Sequence, residues 1–498
     1  MTALRFMPFL QVDAFDRDRI ETTRAHASFE VRVASSSRAI ADVGDDDERW
    51  RMKSRHFIAC TRAGKPSYAR YGDLHALAPL CAALCALFDS SKACDSDSNG
   101  ESEGERLKVN ASALKRVELD GRALMFKATE HMLYVMTSAI GEQERAMETQ
   151  LEHFKRAMES LVTNSALEAA LRKNSKFDVA RALDSRAHAG TFLGTVIRGM
   201  SWDTTYVFNT YRSLTMGGGT RKGLTEAIRS SLTFPAAFAG AVFGSDGRIA
   251  GYAKPKGNRP LTIAATDMIV MMSHARVMRE VAKDTDGGAS FERLCLPAFN
   301  ANGFMHAYVA PLSMDYPDLT VCFLTANADA REQCEGARET LVKKLDENKS
   351  LSAVIEASAT TVDIASLPPE AFGGFTDARE PLLHFVYNRP VRDQHVSSTF
   401  SASLDVKDVK TLTRAYAALY ASMTETDATD ASAPKSGGQR VRYEHRERFN
   451  ILSCVGGDFE IYLTLKSTAG VVVAVALCNR LCVHLRLSEP ELFLPLAT

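Results

Sequence analysis

The sequence lacks an excess of either charge, a paired-cysteine spacing, a long apolar run and a recognisable catalytic constellation. Its 60 Lys and Arg face 61 Asp and Glu, a formal net charge of -1 over 498 residues. A nucleic-acid-binding chain would carry a basic excess, so nucleic acid is not expected as a main partner. The ten cysteines include no C-x-x-C pair, and Cys60, Cys322 and Cys454 sit inside apolar runs, where a free cysteine acts as a small hydrophobe. A reducing, cytoplasmic setting is expected. The first residues lack a basic stretch followed by a long apolar run, so no secretory signal is read there. No apolar run reaches the roughly 18 residues of a membrane span, which leaves peripheral association as the expected form of any membrane contact.

Motifs that carry chemistry are equally scarce. Met216–Gly223 (MGGGTRKG) superficially resembles a phosphate-cradling loop, but Lys222 is followed by Gly223 where a P-loop needs Ser or Thr. A flexible hinge is expected there instead. Cys81 and Cys85 are spaced to share one helix face but lack a second Cys or His pair at zinc spacing, so core packing is expected and no metal. The twelve histidines form no H-x-x-x-H pair, there is no G-x-S-x-G, and Gly456-Gly457-Asp458-Phe459 reads as a strand-to-strand turn. A chain this long without nucleophile, carboxylate pair or metal ligands is expected to bind or regulate rather than to catalyse, with no cofactor.

What is present is a repeat. Its length suggests about three domains, and one order of elements, β-β-α-β-β-β-α, occurs three times at a spacing near 150 residues, which signals tandem domains. The expected class is α+β, each unit a five-stranded antiparallel sheet flanked by helices. The expected bounds are a mostly flexible segment over 1–52, a first domain over 53–165, a helical connector over 166–233, a second domain over 234–360, a linker over 361–380 and a third domain over 381–498. Acidic Asp95–Glu105 (DSDSNGESEGE) and the Thr, Ser and Asp-rich Thr424–Gly438 read as loops. In the second domain Leu294–Phe299 is read as a strand, with Pro297 at its start.

The most telling stretch is Leu74–Phe88, within DLHALAPLCAALCALFD. Between Asp73 and Asp89 it carries no charged side chain, so it lacks the polar face of a surface helix. On a helical wheel Leu74, Leu77, Cys81, Leu84 and Phe88 form a bulky stripe suited to the chain's own core. The opposite side, His75, Ala76, Pro79, Ala82, Ala83 and Ala86, is small and suits a closely approaching partner. The plainer alternative is a helix buried on both sides within its own chain. Pro79 in such a helix predicts a kink costing about 3 kcal/mol. A second candidate is the basic loop YAKPKGNRP, whose Lys254, Lys256 and Arg259 could meet anionic headgroups, each contributing about 1 kcal/mol near a charged surface.

Two long motifs resemble a known family. RHFIACTRAGKPSYARYGD at Arg55–Asp73 is similar to the first hairpin of the Mon-one family of vacuolar fusion proteins, matching at Ala63, Gly64, Lys65, Pro66, Tyr68, Arg70, Tyr71 and Gly72. LCLPAFNANGFMHAYVAPL at Leu294–Leu312 resembles a second family segment, matching at Cys295, Leu296, Pro297, Phe299, Asn300, Gly303, Phe304, His306 and Ala307. NILSCVGGDFEIYLTL with the later FLPL is similar too. The acidic tract Asp95–Glu105 has no counterpart in the family pattern.

The resemblance implies three tandem longin domains and pairing with a Ccz-type triple-longin subunit. It implies that the pair is a guanine nucleotide exchange factor for a Rab-seven-type GTPase, acting in endosome maturation, vacuole or lysosome fusion and autophagy. It further implies recruitment by a Rab-five-type GTPase and phosphoinositides to late endosome and vacuole membranes. The small side of the Leu74–Phe88 helix is then the expected contact for partner and GTPase. The alternative is a longin adaptor that binds a small GTPase without exchanging its nucleotide.

Overall fold

The computed structural model describes residues 20–24, 53–96, 114–119, 121–174, 177–186, 188–257, 263–282, 288–373, 379–429 and 440–495. The chain divides into two compact units, one of Ala27–Ser201 with Cys295–Phe304, the other of Met1–His26, Trp202–Leu294 and Met305–Thr498. Of the lead-in over 1–52, only the strand β1 (Ile20–Arg24) lies within the described residues, and it belongs to the second unit. Apart from Asp95 and Ser96, the acidic tract lies outside them, as do residues 430–438 of the third low-complexity stretch.

In the first unit, β2 (Arg55–Thr61), β3 (Pro66–Ala69), β4 (Arg116–Leu119), β5 (Arg122–Ala128) and β6 (Met132–Ser138) form a sheet in the order β3-β2-β6-β5-β4. Every neighbouring pair is antiparallel. β2 is buried from His56 to Thr61, because alternate side chains serve opposite faces. Ile58 and Cys60 join Leu133, Val135, Leu124 and Phe126 beneath the helix Ala78–Ser96. Phe57 and Tyr134 point the other way and meet Phe154 of the helix Glu144–Leu161, at ring separations of 5.5 and 6.1 Å. That helix is amphipathic, burying Met147, Leu151, Phe154, Met158 and Leu161 at helical spacing. Helices Asn164–Lys173, Val179–Asp184 and Ala189–Gly199 follow.

One buried carboxylate organises the end of this sheet. Glu142 receives Arg55 Nε at 3.1 Å and Nη2 at 2.5 Å, Ser138 Oγ at 2.6 Å and Gln150 Nε2 at 2.9 Å. Burial alone would raise its pKa, but Arg55, Ser138 and Gln150 outweigh burial and hold it below the usual carboxylate range. A depressed folded pKa gives stability that is present above the unfolded value and lost as pH falls through the folded value. Glu142→Gln is therefore expected to cost about 2 kcal/mol at neutral pH, the worth of a charge-assisted hydrogen bond. Urea midpoints of wild type and variant should converge as pH is taken below the carboxylate range; a constant gap would count against this role.

Besides β1, the second unit contains the short β7 (Tyr211–Arg212) and two larger sets of strands. β8 (Ala237–Gly244), β9 (Ile249–Ala253), β10 (Ser290–Leu294), β11 (Met305–Ser313) and β12 (Tyr316–Thr325) form a sheet in the order β10-β11-β12-β8-β9. β13 (Leu382–Arg389), β14 (Gln394–Ser397), β15 (Arg440–His445), β16 (Phe449–Val455) and β17 (Glu460–Lys466) form another, with β1 parallel to β15 at one edge and β7 parallel to β14 at the other. In each of the three sheets the first hairpin lies beside the last strand of the following meander, so one topology occurs three times. The architecture is α+β and accords with three tandem domains.

Each sheet of this unit has helices on both faces. Helix Ala265–Val281 packs on β11 and β12, while Gly218–Ser231 and Arg331–Glu347 share the opposite core with Val242, Tyr308 and Phe323. Helix Val406–Thr429 covers one face of the last sheet through Leu412, Tyr416 and Leu419, and Val471–Leu487 covers the other through Leu477, Cys478 and Leu481.

Two sequence expectations are corrected here. The strand expected at Leu294–Phe299 ends at Leu294, and Pro297–Asn300 is a single helical turn with its proline at the start. Proline has no N–H for a sheet ladder, and its fixed φ suits a first helical position. Residues 295–304 belong to the first unit, where Cys295 N–H donates to Ser160 O at 3.0 Å and Arg186 lies over the Phe304 ring at 4.6 Å. The hinge expected at Met216–Gly223 is instead the start of the helix Gly218–Ser231, with Arg221 and Leu224 buried.

Candidate functional site

The helix carrying the candidate surface starts later than its apolar run. Leu74–Leu77 form turns, Asp73 Oδ1 accepts from Ala76 N at 2.9 Å, and the helix begins at Ala78. Pro79 is thus its second residue. There its missing N–H has no intrahelical partner to lose, so it kinks nothing. The expected kink is corrected accordingly, and Leu74 is only half-buried rather than part of the core stripe.

The two sides of the helix separate as the wheel divides them. Leu77, Cys81, Leu84, Cys85 and Phe88 are buried. His75, Ala76, Pro79, Ala82, Ala83 and Ala86 are all exposed, so the alternative of burial on both sides within the chain is set aside. Two residues outside the small-residue reading lie on the same outer surface: Leu80 is 40% exposed and Leu87 37% exposed. Bulk alone placed no leucine there; the i, i+3, i+7 spacing of Leu80, Ala83 and Leu87 was the available signal. The outer face is apolar from Ala76 to Leu87, and Asp89 closes it in an ion pair with Arg62, whose guanidinium lies 4.7 Å from the Phe88 ring centroid.

The hairpin between β2 and β3 supports this helix from its side. Gly64 has φ of +80°, and a Cβ placed on it would come within 2.9 Å of the Ala82 Cα. Both the left-handed backbone and the close approach demand glycine. Gly64→Ala is expected to destabilise the chain by about 2 kcal/mol, combining backbone strain with a clash against main chain that cannot swing aside. Thermal unfolding reads this; a melting point within error of wild type would contradict it.

Beneath the helix, Cys60 Sγ lies 3.7 Å from Cys85 Sγ, and Cys85 donates to Thr61 O at 3.4 Å. Hydrogen bonds that Cys60 donates to Cys81 and Cys85, then burial, push the Cys60 thiol up, so it stays protonated. Among the described residues no group of three His, Cys, Asp or Glu could hold a metal, and these cysteines serve as core.

No family model matches the chain. Individual relatives do. It is 26% identical over 476 residues to the vacuolar fusion protein MON1 homolog of Arabidopsis thaliana, covering 91% of this chain and 71% of that protein. It is 21% identical to the MON1 homolog A of Macaca fascicularis, covering 92% and 74%. It is likewise 21% identical to the vacuolar fusion protein MON1 of Cryptococcus neoformans, covering 94% and 69%. The chain is related to the MON1 vacuolar fusion proteins along nine tenths of its length. The similarity to MON1 thus runs far beyond the two motifs that first suggested it.

The basic loop is less exposed as a charge cluster than its sequence suggests. Lys254 is half-buried, and burial lowers its pKa. Lys256 Nζ lies 3.3 Å from Glu226 Oε1, and Glu226 also meets Arg229 Nη1 at 2.6 Å. Arg259 lies outside the described residues. Among the described residues of this MON1 relative, no helix is long and apolar enough to cross a membrane.

Proposed function

We propose that this chain is a triple-longin subunit that pairs with a Ccz-type partner to form a guanine nucleotide exchange factor for a Rab-seven-type GTPase, acting in vacuolar fusion, endosome maturation and autophagy. The observation that carries the reading is the exposed apolar face of the Ala78–Ser96 helix, laid on the first of three sheets with one repeated topology. An uncharged surface of this length is unusual on a protein that works alone. The similarity to proteins named for vacuolar fusion supports the cellular setting. Such a factor supplies no acid, base or nucleophile. It binds the nucleotide-free GTPase more tightly than the nucleotide-bound form, and that difference in affinity drives GDP out. Recruitment by a Rab-five-type GTPase and anionic lipid belongs to the same reading, with cytoplasmic protein gathering on late endosome and vacuole membranes.

The test is release of a fluorescent GDP analogue from a Rab-seven-type GTPase by the chain with its co-purified triple-longin partner. Accelerated release supports the reading. Binding to the GTPase without acceleration would replace it with a non-exchanging longin adaptor.

A further inference from the structure

Three thiols meet where the Ala78–Ser96 helix lies on the first sheet. Cys60 comes from β2, and Cys81 and Cys85 sit one turn apart on the helix. Cys60 Sγ is 3.7 Å from Cys85 Sγ. The Gly64 turn already presses the hairpin against the helix backbone at Ala82. Two sulfurs this near, on elements this close, are within reach of a disulfide by side-chain rotation.

The three thiols are not equivalent. Cys60 and Cys81 are 0% exposed, whereas Cys85 is 5% exposed beside the rim that Arg62 and Asp89 close. The hydrogen bond from Cys60 outweighs burial and, with Arg62 and the Gly64 main chain, lowers the Cys85 thiol to about 7. The bond from Cys60 lowers Cys81 too, but Cys81 has no exposed surface. Thiolate is the nucleophilic form, so Cys85 is primed at neutral pH while protonated Cys60 waits beside it. Elsewhere burial pushes Cys322 and Cys334 up to about 12, which leaves them inert. A thiol of lowered pKa next to a second thiol is the arrangement of peroxide-sensing pairs. In a reducing compartment, disulfides are mostly transient ones of this kind.

We propose that Cys85 and Cys60 are a peroxide-reactive pair whose disulfide reversibly staples the Ala78–Ser96 helix to β2, beneath the helix's exposed apolar face. Cys85 gives its proton to solvent, and its thiolate attacks one oxygen of hydrogen peroxide. The O–O bond breaks, and the departing hydroxide takes up a proton to become water, leaving a sulfenic acid on Cys85. The Cys60 sulfur then attacks the Cys85 sulfur. The S–S bond forms, the S–O bond breaks, and the hydroxide leaves as water with the Cys60 proton. Two thiols are oxidised and one peroxide is reduced to two waters. A small dithiol reverses the bond by thiol–disulfide exchange. The linkage is independent of the exchange reading.

Trypsin separates the partners: Cys60 falls in peptide 56–62, Cys81 and Cys85 in 71–92, and Cys94 in 93–106. The full chain is treated with hydrogen peroxide, remaining thiols are blocked with iodoacetamide, and the digest is read by mass spectrometry. Peptides 56–62 and 71–92 should appear joined, and should separate after dithiothreitol. The joined pair should persist in Cys81→Ser and be absent from Cys85→Ser. In Cys60→Ser, shown to be folded by circular dichroism, oxidation should stop at the Cys85 sulfenic acid, which dimedone labels. Amide exchange across residues 80–88 should slow in the oxidised wild type, because a staple suppresses local opening. Peptides 56–62 and 71–92 both fully alkylated after peroxide would overturn the pair, and so would a linkage lost in Cys81→Ser. These wild-type and Cys81→Ser results decide the matter even where Cys60→Ser fails to fold. A linkage that leaves exchange at 80–88 unchanged overturns the staple.

Discussion

Arginine in place of Ala83 is expected to reduce GTPase-directed nucleotide release about 100-fold while the chain remains folded. Ala83 lies between Leu80 and Leu87 on the outer face of the Ala78–Ser96 helix, and all three are exposed. A charge added at an exposed helical position changes stability by only a few tenths of a kcal/mol. Buried against another protein without a counter-charge, the same guanidinium costs roughly 2–5 kcal/mol, and about 3 kcal/mol corresponds to the stated factor. The neighbouring apolar residues offer it no partner; the nearest acid on the face, Asp89, is already paired with Arg62. Leu80→Asp should act in the same direction. Lys343→Glu, on the exposed side of the Arg331–Glu347 helix, should do nothing. Circular dichroism and thermal unfolding establish that the variant is folded, and co-purification of the partner subunit separates loss of pairing from loss of GTPase contact. Normal pairing and normal release by the Ala83→Arg protein would remove this face from the reading.

The face was legible because side-chain size segregates around the wheel: large groups fill the space above Ile58 and Leu133, and alanines remain outside. Leu80 and Leu87 depart from that logic, being bulky and yet exposed. The repeated order of strands and helices was legible from alternating apolar runs and turns, because register in a half-buried sheet follows that alternation. The errors fell where backbone chemistry overrides hydrophobicity. In LCLPAF the apolar run continues, but Pro297 cannot donate to a ladder and begins a helical turn. At Pro79 the run of alanines and leucines hides where the first hydrogen-bonded turn starts.

Arg221 belongs to the same class of error, and its replacement carries a large expected effect on stability. The glycines of MGGGTRKG suggest looseness, yet Arg221 is only 3% exposed and its guanidinium donates to three main-chain carbonyls. These are Leu214 O at 2.7 Å, Glu491 O at 2.7 Å and Ala250 O at 3.3 Å. One side chain thus gathers the crossover after β7, the strand β9 and the C-terminal turn. Burial lowers its pKa to about 10, which still leaves it charged at neutral pH. Arg221→Met keeps most of the stem volume and removes every donor, stranding carbonyls that folding has taken from water. At roughly 1–3 kcal/mol for each unsatisfied buried group, with some rehydration, the loss should be about 4 kcal/mol. Arg221→Lys should recover only part of it, since one ammonium cannot reach three diverging acceptors as a planar fork does. Met216 N–H also donates to Glu491 O at 3.0 Å and Ser213 Oγ to Leu492 O, so the damage should spread along both segments. Amide exchange in residues 213–216 and 491–494 should quicken in the Met variant, while the first unit's β2 and β6 keep wild-type protection. A urea midpoint shifted by less than 1 kcal/mol, with exchange unchanged in both segments, would mean that water replaces the guanidinium at little cost and that the helix start is held by Leu224 and Ile228 alone.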